Sequence, residues 1–176
     1  MSLLILSASL NSDSNSRLLA REAERVLRVD GAEVTWLDLR ELPLPLCDGE
    51  KAYEHPNVAR ARHLVAASDG VIVATPIYNY DANAAAKNFV ELTGDAWENK
   101  VVAFLCSAGG HGSFMAIMAL ANSLMLDFRC VIVPRFVYST GADFSGDKIT
   151  DSKVTARVAE CARATAKLAA AVKSVG

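Results

Sequence analysis

Residues 3–17 have the sequence LLILSASLNSDSNSR, in which a short apolar run ends in a loop of hydroxyl and amide side chains. The run has the length of a buried strand, and a helical pattern opens at Arg17. A strand that ends at a helix N-terminus brings unpaired backbone N–H groups and the positive end of the helix dipole to one point. Such a loop binds anions, so we expect a phosphate group here.

The composition of this loop indicates which class of phosphate ligand it can bind. It lacks the Gly-x-Gly-x-x-Gly pattern that holds a dinucleotide pyrophosphate and the Gly-Lys-Ser/Thr pattern that holds a nucleoside triphosphate with magnesium. No Lys or Arg occurs between residues 7 and 16, so hydroxyls and backbone dipoles would meet the charge. A lone terminal phosphomonoester fits best, and the alternative is that the serines only cap the helix.

Apolar runs alternate with helical patterns along the whole chain. Strands are predicted at 3–7, 33–38, 70–75, 100–106 and 130–138, and helices at 16–28, 57–67, 83–93, 112–126 and 152–173. This alternation predicts an α/β fold, a doubly wound five-stranded parallel sheet in the flavodoxin-like order 2-1-3-4-5 with helices on both faces. We expect a single domain over residues 1–176, with surface loops at 40–56 and 139–151.

Charge and cysteine usage limit the partners and the compartment. Eighteen basic against 20 acidic residues give a net charge of −2, which favours neither nucleic acid nor an anionic membrane as a partner. The cysteines are scattered, without a Cys-x-x-Cys pair, and are expected to be reduced thiols: Cys47, Cys106, Cys130 and Cys161. No pattern of an export signal or of a membrane span is present, so we expect a cytoplasmic protein.

Three loops should meet at the carboxyl ends of the predicted strands, where ligands bind in open α/β sheets. The first is Ser7–Ser16. The second, Thr75–Asp81, contains TPIYNY, in which we expect Pro76 to end the strand and two tyrosines to accept a flat heteroaromatic ring. The alternative is a turn whose tyrosines only cover the sheet. The third, Ser107–Ser113, contains SAGGHG, whose glycines let backbone approach a ring edge.

These three loops together resemble the NAD(P)H-dependent FMN reductase family. The resemblance is carried by Ala8-Ser9-Leu10-Asn11 with Ser14, by Thr75-Pro76-Ile77-Tyr78-Asn79 followed by Lys87-Asn88, and by Ser107-x-Gly109-x-x-Gly112. It implies an FMN phosphate at the first loop, the isoalloxazine ring at the second and its pyrimidine side at the third. The cofactor-binding residues so implied are Ser9, Asn11, Ser14, Asn15, Ser16, Pro76, Ile77, Tyr78, Asn79, Ser107, Gly109 and Gly110.

The resemblance also implies an activity. Hydride would pass from NAD(P)H to the flavin, and electrons from there to a small-molecule acceptor such as a quinone, an azo or nitro compound, a metal ion or free flavin. The flavin performs this chemistry, so no catalytic side chain is predicted. A homodimer or homotetramer is expected, with the helices at 83–93 and 112–126 as the contact, because the second of these is apolar almost all round.

The chain departs from the family pattern at four places. Asn11 stands where the family has Arg, Ile77 where it has Glu, and Tyr80 where it has Gly, and the family's Pro-Gly is absent from Asn83-Ala84-Ala85-Ala86. Loss of the Arg removes a bidentate phosphate partner. Two other functions therefore stay open. One is an electron carrier of the flavodoxin type, and the other is a flavin-free binding protein that keeps the fold.

The remaining reactive side chains have structural interpretations. Cys106 and His111 could form a nucleophile pair, but a buried thiol and a capping or solvent-facing histidine are favoured. His55 and His63 lack ligand partners at metal spacing, and Lys87 is expected to form an ion pair. A phosphoacceptor receiver domain shares the topology but needs an acidic pair after the first strand, which is absent.

Overall fold

The computed structural model describes residues 1–174, so the last two residues of the predicted 1–176 domain lie outside the described part. Its strands are β1 (Ser2–Ser7), β2 (Glu33–Asp38), β3 (Gly70–Tyr78), β4 (Asp81–Ala82), β5 (Val101–Ala108), β6 (Val131–Ile132), β7 (Val137–Thr140), β8 (Phe144–Ser145) and β9 (Lys148–Ile149). Its helices are α1 (Asn15–Val29), α2 (Pro56–Ala66), α3 (Ala84–Thr93), α4 (Met118–Phe128) and α5 (Ser152–Lys173).

The central sheet has the predicted α/β architecture. Its main path is β2-β1-β3-β5-β6, all parallel, and β7 also pairs with β5 in parallel. Numbered by the five predicted strands this is the order 2-1-3-4-5. The short β4 pairs antiparallel with β3, and β8 and β9 form a separate hairpin.

The prediction of one continuous fifth strand over 130–138 is wrong. Its residues form β6 and β7, which pair with the two ends of β5 and are separated by a turn. Pro134 lacks a backbone N–H, and Arg135 has a left-handed backbone with φ of +58°, so the ladder is interrupted there. The predicted loop 139–151 is also shorter, because β7 runs to Thr140 and the β8–β9 hairpin occupies part of it.

Helices cover both faces of the sheet, and alternate strand residues point to opposite layers. Leu3 and Ile5 of β1 pack with α1 and α5, whereas Leu4 and Leu6 pack with α2, α3 and α4. Strands β3 and β5 are likewise buried on both faces over most of their length. This explains their almost unbroken apolar sequence. None of the described helices is long and apolar enough to cross a membrane.

Two predicted element ends need correction. The fourth helix begins at Met118 rather than at residue 112, because the preceding glycines favour turns over helix, and His111 lies in a short 3-10 turn. The third strand does not end at Pro76 but continues to Tyr78. The missing proline N–H is tolerated because the pairing of β3 with β1 ends at Ala74, and the Pro76 carbonyl accepts from the Asn83 N–H at 3.2 Å.

Candidate functional site

The three predicted loops meet around one open cavity of about 510 Å³ at the carboxyl ends of β1, β3 and β5. Every residue implied by the family resemblance lines this cavity except Gly110, and Asp13 and Ala108 line it in addition. The lining residues are Ser9, Asn11, Asp13, Ser14, Asn15, Ser16, Pro76, Ile77, Tyr78, Asn79, Ser107, Ala108 and Gly109. The sequence therefore identified one continuous cavity from three separate segments.

The N-terminus of α1 offers uncharged hydrogen-bond donors to this cavity. The Ser14 hydroxyl caps the helix by accepting from the Arg17 N–H at 3.3 Å, and it lies 2.9 Å from the Ser16 hydroxyl. The N–H groups of Arg17 and Leu18 donate to the Ser14 carbonyl. Within residues 1–174 the N–H groups of Asn15 and Ser16 have no acceptor. Ser14 is thus a helix cap, yet donors remain for an anion.

The second loop is the tip of a tight hairpin between β3 and β4. Asn79 and Tyr80 form its two-residue turn, with φ values of +50° and +66° that are typical of a type I′ turn. Asn tolerates this backbone, but a left-handed Tyr costs roughly 1–2 kcal/mol. Tyr78 and Tyr80 are 53% and 60% exposed. The tyrosines therefore do not simply cover the sheet end, and packing does not account for the strained Tyr80.

Asn83 connects the loops, a role that was not predicted from the sequence. It is buried, and its Nδ2 donates to the carbonyl of Ala8 at 2.8 Å. Its Oδ1 accepts from Thr75 Oγ1 at 2.9 Å and from the Ala86 N–H at 3.2 Å. An Asn before an alanine run is a helix-cap signal, but the bond to Ala8 spans 75 residues and has no local sequence signal.

The third loop leaves room beside the backbone. A Cβ atom on Gly109 would meet no heavy atom within 4 Å, so a ring edge can approach there. Gly110 is not among the cavity-lining residues, and its carbonyl accepts a hydrogen bond from the Tyr138 hydroxyl. The Tyr138 ring packs against Phe114 with centroids 5.4 Å apart. Gly110 thus anchors the loop to an aromatic cluster that the sequence analysis missed.

The cysteine and histidine alternatives find no support in the geometry. Cys106 is fully buried, and this burial raises the pKa of its thiol far above the usual range. Burial likewise raises the pKa of Cys130 and of Cys161 to about 11. These thiols are protonated at neutral pH and are poor nucleophiles. His111 is exposed, and no cluster of His, Cys, Asp or Glu suited to a metal ion occurs in residues 1–174.

The Lys-Asn pair on α3 has a structural role. Lys87 forms the predicted ion pair, with Nζ 2.7 Å from Glu91 Oε1. The Asn88 side chain accepts from the Cys47 N–H at 2.8 Å and donates to the Pro45 carbonyl at 2.9 Å. Asn88 therefore connects the segment before α2 to α3.

The donor set fits flavin mononucleotide. Hydroxyls and free amides at the start of α1 suit a phosphomonoester, and open space at Gly109 opposite the tyrosine hairpin suits a flat ring. The fold and this cavity define the class of flavodoxin-like flavoenzymes. The chain belongs to the NADPH-dependent FMN reductase family, whose model matches residues 1–144. Membership confirms the predicted class, an oxidoreductase that uses FMN and NAD(P)H.

Named relatives agree with this family. Over 158 residues the chain is 25% identical to an NAD(P)H-dependent FAD/FMN reductase of Geobacillus thermodenitrificans, covering 88% of this chain and 84% of that protein. It is 28% identical over 138 residues to an NADPH:quinone oxidoreductase of Arabidopsis thaliana, covering 74% and 70% of the two chains. The fold matches that of the NAD(P)H:acceptor oxidoreductase FerB of Paracoccus denitrificans with a TM-score of 0.78 at 20% identity, over 96% of each chain.

Proposed function

We propose that this chain reduces FMN bound in the three-loop cavity with NAD(P)H and passes the electrons to a small acceptor, such as a quinone, an azo or nitro compound, a metal ion or free flavin. The observation that carries the proposal is the meeting of the three predicted loops around one cavity that offers uncharged donors at a helix N-terminus. Bound FMN supplies the redox chemistry. The chain binds the flavin, orients it and leaves one face open.

In this proposal the first loop holds the phosphate without a cation. The Ser14 and Ser16 hydroxyls and the N–H groups of Asn15 and Ser16 are the donors. Asn11 takes the place of the family Arg, and its Oδ1 accepts from the Asp13 N–H at 3.0 Å, which leaves its amide nitrogen as a neutral donor. Pro76 to Asn79, Ser107 and Gly109 border the ring.

Steady-state oxidation of NADH and NADPH tests this function and separates it from the two alternatives. The purified protein, supplied with FMN, is expected to oxidise at least one nicotinamide with a soluble quinone as acceptor. An electron carrier would bind FMN but turn over neither nicotinamide. A flavin-free binding protein would show no change in the flavin absorbance spectrum on titration with FMN, and either result would contradict the proposal.

Replacement of Asn79 by Gly tests the role of the second loop. Gly keeps the left-handed turn while it removes the side-chain amide, so the hairpin should survive. We expect FMN affinity to fall about 3- to 10-fold, the equivalent of one lost hydrogen bond. Titration of flavin fluorescence measures this. If affinity, flavin spectrum and turnover are all unchanged, the loop is only a turn. Asn79→Leu, which strains the same backbone, serves as the comparison.

We further propose a homodimer, or a homotetramer built from it, through the surface formed by α3 and α4. On this surface Leu126 is 84% exposed and Met125 is partly exposed, whereas Leu120 and Leu124 fill the core. Exposed apolar side chains of this kind favour a subunit contact. We expect Leu126→Glu to shift the protein toward the monomer of 18.8 kDa in light scattering. The control is Val29→Glu at a distant exposed site on α1. A wild-type monomer at micromolar concentration would contradict the proposal.

A further inference from the structure

Arg17 lies directly behind the first loop and is mostly buried. Its side chain is 14% exposed and forms an ion pair with Asp38 at the end of β2, whose side chain is 5% exposed. The Nε to Oδ2 distance is 2.6 Å, and Nη2 lies 3.4 Å from Oδ1. The carboxylate thus fixes one edge of the guanidinium plane, which leaves the other N–H groups directed at the loop.

The same guanidinium group binds three carbonyl oxygens of the loop. Nη2 donates to the Ser9 carbonyl at 2.9 Å. Nη1 donates to the carbonyls of Asn11 at 2.8 Å and Ser12 at 3.1 Å. The planar fork of Arg can hold several acceptors at fixed angles, which the single ammonium group of Lys cannot do. Arg17 therefore determines the direction of three peptide units.

Because the peptide bond is planar, fixing these carbonyls also fixes the direction of the N–H groups that follow them. In a trans peptide the N–H of the next residue points opposite to the carbonyl, so the N–H groups of Leu10, Ser12 and Asp13 are directed away from Arg17. The Asp13 N–H donates to Asn11 Oδ1. Those of Leu10 and Ser12 have no acceptor within the described residues. Leu10 and Ser12 do not line the three-loop cavity, so the guanidinium group fixes the shape of the loop rather than the supply of these two N–H groups to the cavity.

Arg17 itself does not reach the proposed flavin cavity. It borders a different depression, which it shares with Leu18, Gly146 and Asp147, while Asp13, Ser14 and Asn15 border both. The guanidinium group of Arg17 therefore lies on one side of the first loop, and the cavity lies on the other side. Because Asp38 neutralises its charge, Arg17 acts through geometry rather than through attraction of the phosphate.

We propose that Arg17, held by Asp38, is a positioning residue for the cofactor phosphate. It binds the loop carbonyls and thereby holds the loop in the shape in which the Ser14 and Ser16 hydroxyls and the Asn15 N–H group face the phosphate, which Arg17 itself does not touch. The inference rests on the proposed function, because it needs FMN in the three-loop cavity. It also explains how the loop can hold a phosphate although Asn11 replaces the family Arg. The cation has no direct contact with the ligand.

The test compares FMN with riboflavin, which lacks the phosphate, in binding titrations of Arg17→Lys. We expect the variant to weaken FMN binding about tenfold or more, the equivalent of one or two strong hydrogen bonds, and riboflavin binding less than about threefold. The matched control is Arg25→Lys on the same helix, where Arg25 forms a surface ion pair with Glu22. An equal loss for both flavins would indicate a structural role alone and would overturn the inference, as would unchanged FMN affinity.

Two further measurements keep the result interpretable. Circular dichroism shows whether Arg17→Lys folds. If that variant does not fold, Asp38→Asn, which keeps the side-chain shape, serves as the second variant. We expect Asp38→Asn to show the same selective loss for FMN, and a loss shared by riboflavin would contradict the inference. If the wild-type protein binds FMN but neither variant discriminates the phosphate, only the positioning role fails. If the wild-type protein binds no flavin, the proposed function fails first.

Discussion

Asn83→Ala is expected to lower the free energy of unfolding by about 2–4 kcal/mol, from loss of the α3 cap together with a buried carbonyl left unpaired. The carbonyl belongs to Ala8 and has no access to water in the folded chain, whereas the Thr75 hydroxyl keeps its bond to the Pro76 carbonyl. Chemical denaturation with urea measures the change. The control is Lys167→Ala on α5, an exposed position away from α3 and α4 where a change within about 0.5 kcal/mol is expected.

The same substitution should also affect the cofactor site. Asn83 joins Ala8 of the first loop to Thr75 of β3 and to the start of α3, so its loss frees two walls of the cavity relative to each other. We therefore expect weaker FMN binding in the folded fraction of Asn83→Ala. A loss of stability below about 1 kcal/mol would show that the network contributes little to the fold.

The double variant Ser14→Ala, Ser16→Ala is expected to weaken FMN binding about tenfold or more. Each lost hydroxyl to a charged phosphate is worth about 1–3 kcal/mol. Ser14 also caps α1, and its loss alone should lower the free energy of unfolding by about 1 kcal/mol. The two single variants separate these effects, because Ser16 does not cap the helix.

Ser12→Ala is the matched control for the phosphate loop. Ser12 is exposed, does not line the cavity and contributes its carbonyl rather than its hydroxyl to the contact with Arg17. Its substitution should leave FMN affinity within about twofold, since no hydrogen bond of its side chain is lost. Unchanged FMN affinity in the double serine variant would show that the phosphate does not bind at this loop.

Much of the fold was predictable because strands that are buried on both faces have almost continuous apolar sequences. Strands β1, β3 and β5 are nearly continuous apolar runs, and the helices between them carry apolar residues at helical spacing. In a parallel sheet the loops after such strands must meet at one edge, so three separate segments could be assigned to one cavity. The prediction depended on topology and on residue type, which the sequence contains.

The parts that were not predicted depend on contacts between distant residues. Asn83 looks like an ordinary helix cap, and only the folded chain places it against Ala8. Arg17 looks like a surface residue of an amphipathic helix, and Asp38 is 21 residues away. The break of the fifth strand follows from a left-handed Arg135 next to Pro134, a conformation that Arg does not favour locally. In each case tertiary structure overrides the local preference.

A crystal structure of the protein with FMN would show directly where the flavin binds. It should show the phosphate within hydrogen-bond distance of the Ser14 and Ser16 hydroxyls and the Asn15 N–H, with Arg17 on the far side of the loop. The ring should lie between Gly109 and the β3–β4 hairpin, beside Tyr78 and Asn79. Flavin bound elsewhere, for example in the apolar groove lined by Leu10, Leu42 and Leu44, would contradict the account.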